Sequence, residues 1–544
     1  MKLNPNREDS NAHIDQTAQR SGRRDALKLI GAGVGGVFGG GSALLSHAAP
    51  YVISSETERP STLWGTMVSE VTPRGAIVWS RADHPSEMIV TWSVDPDFKV
   101  SETLPPSPAL PETDFTARVL LKRLPSGRRI FYRVHFESLR YDQARSVPLF
   151  GEFTTPPSDP LSPVRVAWSG DSFGQGYGIN PQVGGVRIYD HIRRASPDLF
   201  IHCGDRIYAD QPLKEVKGGG KGRWYNLLPE SMPELRSVAQ ELDDFRAYYR
   251  YGHLDLPTRG FAQLTSQLFL WDDHEVKNDW WPGRTLKDRR YQERSCDVLA
   301  ARSRRAFFEY SPLPLSWAQH KRIYRSVSYG PNLEVFALDS RSYRGPNDRE
   351  AHLLSSTERR TQYLGPDQLR WLRAGLARSK ARWKVIACPQ PLGLVIGSGG
   401  RNYDGISSGE RDPRGRELEL RDLLTFIHDQ EIKNVVWVSA DVHYAAAHHF
   451  HPDRAVYQRF SPFWEFIAGP LNAATLRPHR LDPTFGPRRV YLSIPEDRSG
   501  RGHSPLYGEQ FFGLLDAVEG GQILRVSIYN LDGERLFVKD LSAS

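Results

Sequence analysis

The sequence predicts a layered α/β domain set behind a small β-sandwich, and two changes of rhythm along the chain carry that prediction. Between Trp64 and Phe153 short apolar runs alternate with polar residues and turns, as in Gly75-Ala76-Ile77-Val78-Trp79-Ser80, Met88-Ile89-Val90-Thr91-Trp92-Ser93 and Arg129-Ile130-Phe131-Tyr132-Arg133-Val134. Short strands repeated in this way fit a sandwich of the immunoglobulin or fibronectin III sort over residues 59–155. After Val164 apolar strand-like runs alternate with longer, charge-rich helical stretches, the pattern of a layered α/β domain over residues 163–541.

The elements follow in order. Thr154-Thr155-Pro156-Pro157 reads as a linker. Strands are expected at 164–168, 199–202, 268–271, 333–338, 385–387 and 435–438, and helices around 187–194, 297–310, 368–379 and 418–429. Residues 211–262 break the rhythm with a Gly-Gly-Gly-Lys-Gly loop and an aromatic, charged stretch through Phe245, Tyr248, Tyr249 and Tyr251. This segment is expected to be an insertion packed near the mouth of the site. Runs at 523–529 and 535–538 complete a sheet.

Residues 1–49 read as an export signal: the pair Arg23-Arg24, then Leu27-Lys28, an uncharged run over 29–45, and a small-x-small cleavage pattern at Ser46-His47-Ala48. The run is shorter and richer in glycine than the roughly 20 strongly apolar residues an anchor needs. The arginine pair resembles a twin-arginine signal, with Gly22 where Ser or Thr is usual and Ala26 where an aromatic is usual. That resemblance implies the twin-arginine export machinery as a partner and a periplasmic or extracellular destination.

At 544 residues, 39% hydrophobic and 25% charged, the chain can bury a large core, which excludes a largely disordered protein. Its three cysteines, Cys203, Cys296 and Cys388, are odd in number and widely spaced. They make neither a disulfide framework nor a four-thiolate zinc site, so no disulfide partner is expected and any metal must be held by oxygen and imidazole. Cys203, inside an apolar run, reads as buried filler. A net charge of +7 is modest for this length; it suits an anionic substrate without arguing for a specific nucleic acid.

The most informative pattern is that four apolar strand candidates each run into hard ligands. Val166-Ala167-Trp168 leads to Asp171, Leu199-Phe200-Ile201 to Asp205 with Tyr208 three residues on, Leu268-Phe269-Leu270-Trp271 to Asp272-Asp273-His274-Glu275, and Val435-Val436-Trp437-Val438 to Asp441 and His443. In open α/β sheets, loops at the carboxyl ends of strands converge on the ligand site. Carboxylates gathered there repel unless a cation is present, and Asp, Tyr and His donors suit Fe, Mn, Ca or Zn. Two ions about 3.5–4 Å apart can clamp a hydroxide and a phosphoryl group for in-line displacement. Each motif alone has a plainer reading: Gly204-Asp205 a turn, Asp273-His274 a hydrogen-bonded pair or helix cap, His443 a core histidine. Four such endings in order favour the metal cluster. His448, His449 and His451 fit a continuing edge strand or loop at least as well as a ligand set.

These sites resemble the PhoD-like branch of the calcineurin-type metallophosphoesterases, through WSGDSFGQGYGINPQVGGVRIYD, FIHCGDRIYAD, LFLWDDHEVKNDWW, ALDSRSYRG, SADVHYAAAHH and FWEFIAGPLNA. The resemblance implies a four-layered αββα metallophosphoesterase domain behind the β-sandwich, a centre of two or more metal ions, iron with calcium or else Mn or Zn, and hydrolysis of phosphate esters. By position it implies Asp171 as first-strand ligand, Asp205 as the bridging carboxylate and Tyr208 as a phenolate ligand. It likewise implies Asp273, Asp441 and His443 as further ligands, with Asn278 a candidate for substrate or the second ion. His274 would steady the phosphoryl oxygen or leaving group. Arg206 and Arg341 lie in matching loops and could pair with phosphate, although a structural role fits them nearly as well. The family commonly carries a cysteine ligand where this chain has Gly170.

The function expected is therefore an exported phosphoesterase acting on mono- or diesters. Two alternatives remain at this stage: a strict phosphodiesterase acting on lipid, teichoic acid or nucleic acid linkages, and a non-catalytic envelope protein that binds anions.

Overall fold

Period-two alternation within the strands builds the layers. In the computed structural model, which describes residues 56–314, 322–397, 403–497 and 502–544, Val166, Trp168, Ile201 and Leu268 pack with Val335, Val385, Val438 and Phe466 in a core between two sheets. The intervening Ala167, Phe200 and Phe269 pack instead with Ile188, Ile192, Leu299 and Phe307 of the helices. On the far side Phe336, Ile386 and Trp437 meet Leu369, Leu372, Leu420 and Leu423. Two sheets face to face with helices outside each make the four αββα layers. The expected export signal at 1–49 lies outside the described residues.

The first sheet has nine strands, in the order Arg535–Ser542, Ile523–Asn530, Phe511–Val518, Val164–Ser169, Leu199–His202, Ser266–Phe269, Thr66–Thr72, Gly75–Arg81 and Thr116–Lys122. The second has seven: Arg325–Tyr329, Leu333–Ala337, Trp383–Ala387, Val435–Ser439, Phe463–Ile467, Ala446–Phe450 and Pro487–Leu492. Helices Ile188–Arg194, Cys296–Tyr310, Gly365–Arg378 and Glu417–Asp429 form where amphipathic stretches were expected. One strand is displaced: Ser266–Phe269 ends two residues before the predicted Trp271, whose indole N–H instead donates to Asp339 Oδ1 at 2.9 Å.

The N-terminal strands form two layers that enclose Val68, Val78, Val90, Tyr132 and Phe153. One layer contains Ser86–Ser93, Arg129–Ser138 and Leu149–Thr154. The other does not stand apart, because Thr66–Thr72, Gly75–Arg81 and Thr116–Lys122 continue the nine-stranded sheet, with Ser69 paired in parallel to Gln267. Side chains fix this junction. Trp79 Nε1 donates to Glu309 O at 2.8 Å, Ser69 Oγ donates to Pro312 O at 2.6 Å, and Asp114 accepts from Arg81 and Arg250 at 2.8 and 2.7 Å.

Residues 211–262 divide in two. Phe245, Tyr248, Tyr249 and Tyr251 are core residues, and helix Leu242–Gly252 is tied to helix Cys296–Tyr310 by Arg246, whose Nε and Nη2 donate to Glu309 at 2.7 Å. The earlier half lies against the loop after Val164–Ser169, where Asn226 Oδ1 accepts from Gly178 N–H at 2.7 Å, and Tyr251 of the helix reaches the same loop, its OH accepting from Ile179 N–H at 2.7 Å. The strand Ala446–Phe450 is interior to its sheet, not the edge strand or loop expected, and His448 Nδ1 lies 3.1 Å from Glu465 Oε2. No helix among the described residues is long and apolar enough to cross a membrane.

Candidate metal centre

Parallel pairing sends three loops out of one edge of the first sheet: Val166 pairs with Leu199, and Leu199 with Ser266. Val435–Ser439 delivers a fourth loop from the facing sheet. The turns are tight, since Asp171, Asp205, Asp441 and His443 all have left-handed backbones, with φ of 65°, 53°, 66° and 56°. Non-glycine residues rarely adopt that conformation, and such strain concentrates at functional sites. Gly204 is required before Asp205, because its φ is +107° and a Cβ there would stand 2.7 Å from the Asp272 Cβ.

The loops bring Asp171, Asp205, Tyr208, Asp273, His274, Asp441 and His443 together. Ligand atoms of Asp171, Asp205 and His443 lie within 4.8 Å of one another, as do those of Asp205, Asp273 and His274, and those of Asp205, Asp272 and Asp441. Asp205 is common to all three groups. Tyr208 is buried, with its hydroxyl 2.9 Å from His443 Nε2 and its ring stacked on His274 at 4.1 Å. His443 Nδ1 lies 2.6 Å from the Ala474 carbonyl, which can only accept, and 3.0 Å from Gln175 Nε2; the shorter contact favours the proton on Nδ1, with the Nε2 lone pair toward Tyr208 and Asp171.

Electrostatics favour a cation here. Burial, then the charges of Asp273 and Asp272, push the Asp205 carboxyl well above its ordinary range, and burial with Asp272 does the same to Asp171. Burial and Asp205 raise the Tyr208 phenol, and burial lowers His443 to about 3. Asp171 Oδ2, Asp272 Oδ2 and Asp273 Oδ1 are buried with no hydrogen-bond partner. Unmatched carboxylate oxygens beside an imidazole and a phenol form a donor set that fits hard or borderline metal ions.

Around the cluster stand residues that hold it in shape. Asp210 Oδ1 lies 2.6 Å from His274 Nδ1. Burial alone would lower the His274 pKa, yet the charges of Asp210 and Asp273 outweigh it and raise the group to about 9. Glu275 accepts the backbone N–H of Asp205, Arg206 and Asp272 at 3.0, 2.7 and 2.8 Å, joining the second loop to the third. Asp210 sits in the same Ile207-Tyr208-Ala209-Asp210 run as Tyr208, and Glu275 directly after His274, so both were open to recognition from their motifs. Asp404 had no such signal: it lies away from any apolar strand, and its partners Arg341 and Arg344 are distant in sequence.

Three expected site residues take other places. Arg206 directs its guanidinium into the core, donating to Tyr310 O at 2.7 Å and Ser311 Oγ at 3.1 Å and lying over the Phe269 ring, so it is spent before any phosphate arrives. Arg341 is fully buried, with one edge on the Asp404 carboxylate at 2.7 and 2.8 Å and Nε on Asp272, so its geometry suits bracing carboxylates rather than meeting substrate. Asn278 enters through its backbone, its N–H donating to Asp210 and its carbonyl accepting from Arg284. At Gly170, where a cysteine was the family expectation, a Cβ would stand 2.7 Å from the Ala440 Cβ. Cys203 is buried.

Comparison with known proteins adds sequence and fold relatives. The model of the PhoD-like phosphatase family matches residues 167–500, and that of the PhoD-like phosphatase N-terminal domain matches residues 46–157. Alkaline phosphatase D of Bacillus subtilis (strain 168) is 26% identical over 275 residues, 49% of this chain and 44% of that protein, so the chain spans less than half the length of that relative. A solved structure of PhoD matches with a TM-score of 0.64 at 18% identity, covering 90% of this chain and 94% of the other. The purple acid phosphatase PPD1 from yellow lupin (Lupinus luteus) seeds matches with a TM-score of 0.55 at 15% identity, covering 89% and 74%. These two structures establish the shared fold.

Proposed function

The chain belongs to the PhoD-like phosphatase family, and from that premise we propose that it is an exported, metal-dependent phosphoesterase that hydrolyses phosphate mono- and diesters. One observation carries the reading: a buried knot of carboxylates drawn from four strand ends, with Asp171 Oδ2, Asp272 Oδ2 and Asp273 Oδ1 unmatched. Asp171, Asp205, Tyr208 and His443 would hold one ion, Asp205 and Asp273 with Asp441 a second, and Asp205 would bridge them. Iron with calcium is the pairing proposed; manganese or zinc also suits the donors. When bound, such ions supply positive charge to the phosphoryl oxygens and acidify water.

The chain's own contribution is position and a proton. Asp210 orients the His274 ring through Nδ1, and the Tyr208 ring lies against its face. The Asp210 charge keeps a proton on His274, which passes it to the departing alcohol oxygen as the P–O bond breaks; the attacking water loses one proton to solvent as its oxygen bonds to phosphorus, and solvent returns a proton to His274. Arg341 and Glu275 hold Asp272, Asp273 and the Asp205 loop at fixed spacing, as a site on rigid supports requires. Residues 1–49 would carry the chain through the twin-arginine machinery to the periplasm or cell exterior, a reading supported by Arg23-Arg24 and the uncharged run that follows.

The test is elemental analysis of the exported protein together with turnover of p-nitrophenyl phosphate and bis-p-nitrophenyl phosphate. Asp205→Ala and Asp273→Ala should each lose metal and both activities while keeping the far-UV circular dichroism spectrum. Full turnover in both variants would end the proposal.

A further inference from the structure

A cavity of about 300 Å³ opens beside the loop that carries Asp171. Its walls include Trp224, Leu471 and Tyr507, and Gln510 and Asn472 supply uncharged polar lining. The charged groups in the lining are the exposed Arg187 and Asp532, one of each sign. This volume stands at the small end of ligand pockets, which run from roughly 300 to 1,000 Å³.

Gln510 is the informative residue. It is 97% buried, and neither its Oε1 nor its Nε2 has a hydrogen-bond partner. A buried amide left unmatched on both sides costs stability, and a ligand that both donates and accepts would satisfy it. Asn472 does not compete for that role, since its Nδ2 donates to Tyr177 O and Gly178 O at 3.0 and 3.2 Å. Trp224 spends its Nε1 on Gly178 O at 3.0 Å, so it offers the cavity an apolar surface.

We propose that this cavity is a binding site for one neutral polyhydroxylated ring, a monosaccharide unit. Hydroxyls donate and accept at once, which matches both halves of the Gln510 amide, and the C–H face of the ring packs on Tyr507 and Trp224. The balanced charges of the rim favour an uncharged guest. The site is linked to the metal cluster by backbone: Asn472 N–H donates to Asp171 O at 3.0 Å, and Leu471 N–H donates to Gly170 O at 2.8 Å. A ring seated against Leu471 and Asn472 therefore bears on the segment that carries Asp171.

The inference stands apart from the phosphoesterase reading, and its test needs no turnover. Glucose, galactose and N-acetylglucosamine are titrated into the full chain and into the Asp205→Ala variant by saturation-transfer NMR, with nicotinamide as a planar control. Binding of at least one sugar, equal in both proteins and weakened about tenfold or more by Tyr507→Ala and by Gln510→Leu, supports the site. Gln510→Leu should at the same time raise the melting temperature, because it removes an unmatched buried amide. Two results overturn the proposal: no sugar binding at millimolar concentration or binding of nicotinamide alone, and a Gln510→Leu variant that melts lower and binds sugar as before.

Discussion

His274 Nδ1 lies 2.6 Å from Asp210 Oδ1, and this contact sets both the direction and the charge of the imidazole. The Asp210 carboxyl is itself held low: burial pushes its pKa up, and the His274 charge and hydrogen bond pull it below the ordinary range. The two shifts run in opposite directions, Asp210 down and His274 up to about 9, and both favour the ionic form of the pair.

Asp210→Asn should therefore reduce kcat by roughly 10²- to 10⁴-fold, the usual worth of a positioned acid. The alkaline limb of its pH–rate profile should move to lower pH, because the charge that raised His274 is gone. A raised folded pKa contributes stability that is complete below the unfolded value near 6.5 and lost as pH rises through about 9. Melting curves between pH 6 and 10 should show that loss in the parent and not in the variant.

Asp171→Asn should change sign with metal. Asparagine tolerates the left-handed backbone at this position, so the fold is spared. In chelator-treated protein the variant should melt higher than the parent, since one crowded carboxylate has been removed. In metal-loaded protein it should melt lower, having lost a ligand. Differential scanning calorimetry with and without chelator reads both, and a fall in both states would remove the case for like-charge crowding.

The two arginines should separate by phenotype. Arg206→Met should lower the melting temperature while leaving KM for p-nitrophenyl phosphate close to the parent value, because the guanidinium serves Tyr310, Ser311 and His253. Arg341→Met leaves Asp272 without its cation and Asp404 with Arg344 alone, and should cost roughly 3–5 kcal/mol, with weaker metal retention on dialysis. A raised KM in Arg206→Met without loss of stability would restore it as a substrate contact.

Acid should loosen the joint between the N-terminal strands and the helices behind them. Burial alone would raise the Asp114 pKa, but Arg81, Arg250 and the Tyr310 hydroxyl together hold it below the ordinary value. Stability from a depressed carboxyl is present above the unfolded pKa of about 3.9 and lost as pH falls through the folded one. Asp114→Asn should cost roughly 3–5 kcal/mol at pH 7 and progressively less as the pH falls into the acid range, measured by urea unfolding.

Gly170→Cys should fail to install a thiolate ligand. Its Cβ would meet the Ala440 Cβ at 2.7 Å, so the single variant should lose stability, and Ala440→Gly in the same chain should recover part of it. Thiol titration and metal content measured together check the result.

The parts of this molecule that local chemistry dictates were legible in the sequence. Alternating Val166, Ala167 and Trp168 announce a strand buried on two faces, and Asp205 and Tyr208 follow their strand in a loop that carries both side chains into the buried cluster. The direction of Arg206 was not legible, because adjacency to Asp205 says nothing of it; its pocket of Tyr249 and Phe269 is assembled from distant segments. The pairing of Ser69 with Gln267 left no trace either, since sheet continuity depends on partners about two hundred residues apart. Asp404 was invisible for the same reason, as Arg341 and Arg344 reach it from one distant stretch and Arg416 from another.

The strand Phe511–Val518 pairs antiparallel with Val164–Ser169, and Ser169 Oγ donates to Phe511 O across 342 residues of chain. On a ribosome the turn bearing Asp171 emerges long before the strand that flanks it. A nascent chain can collect the carboxylates of the first three loops and still lack one wall of their sheet. The first three loops therefore gain their complete setting only in the finished polypeptide, once Phe511–Val518 has closed against Val164–Ser169.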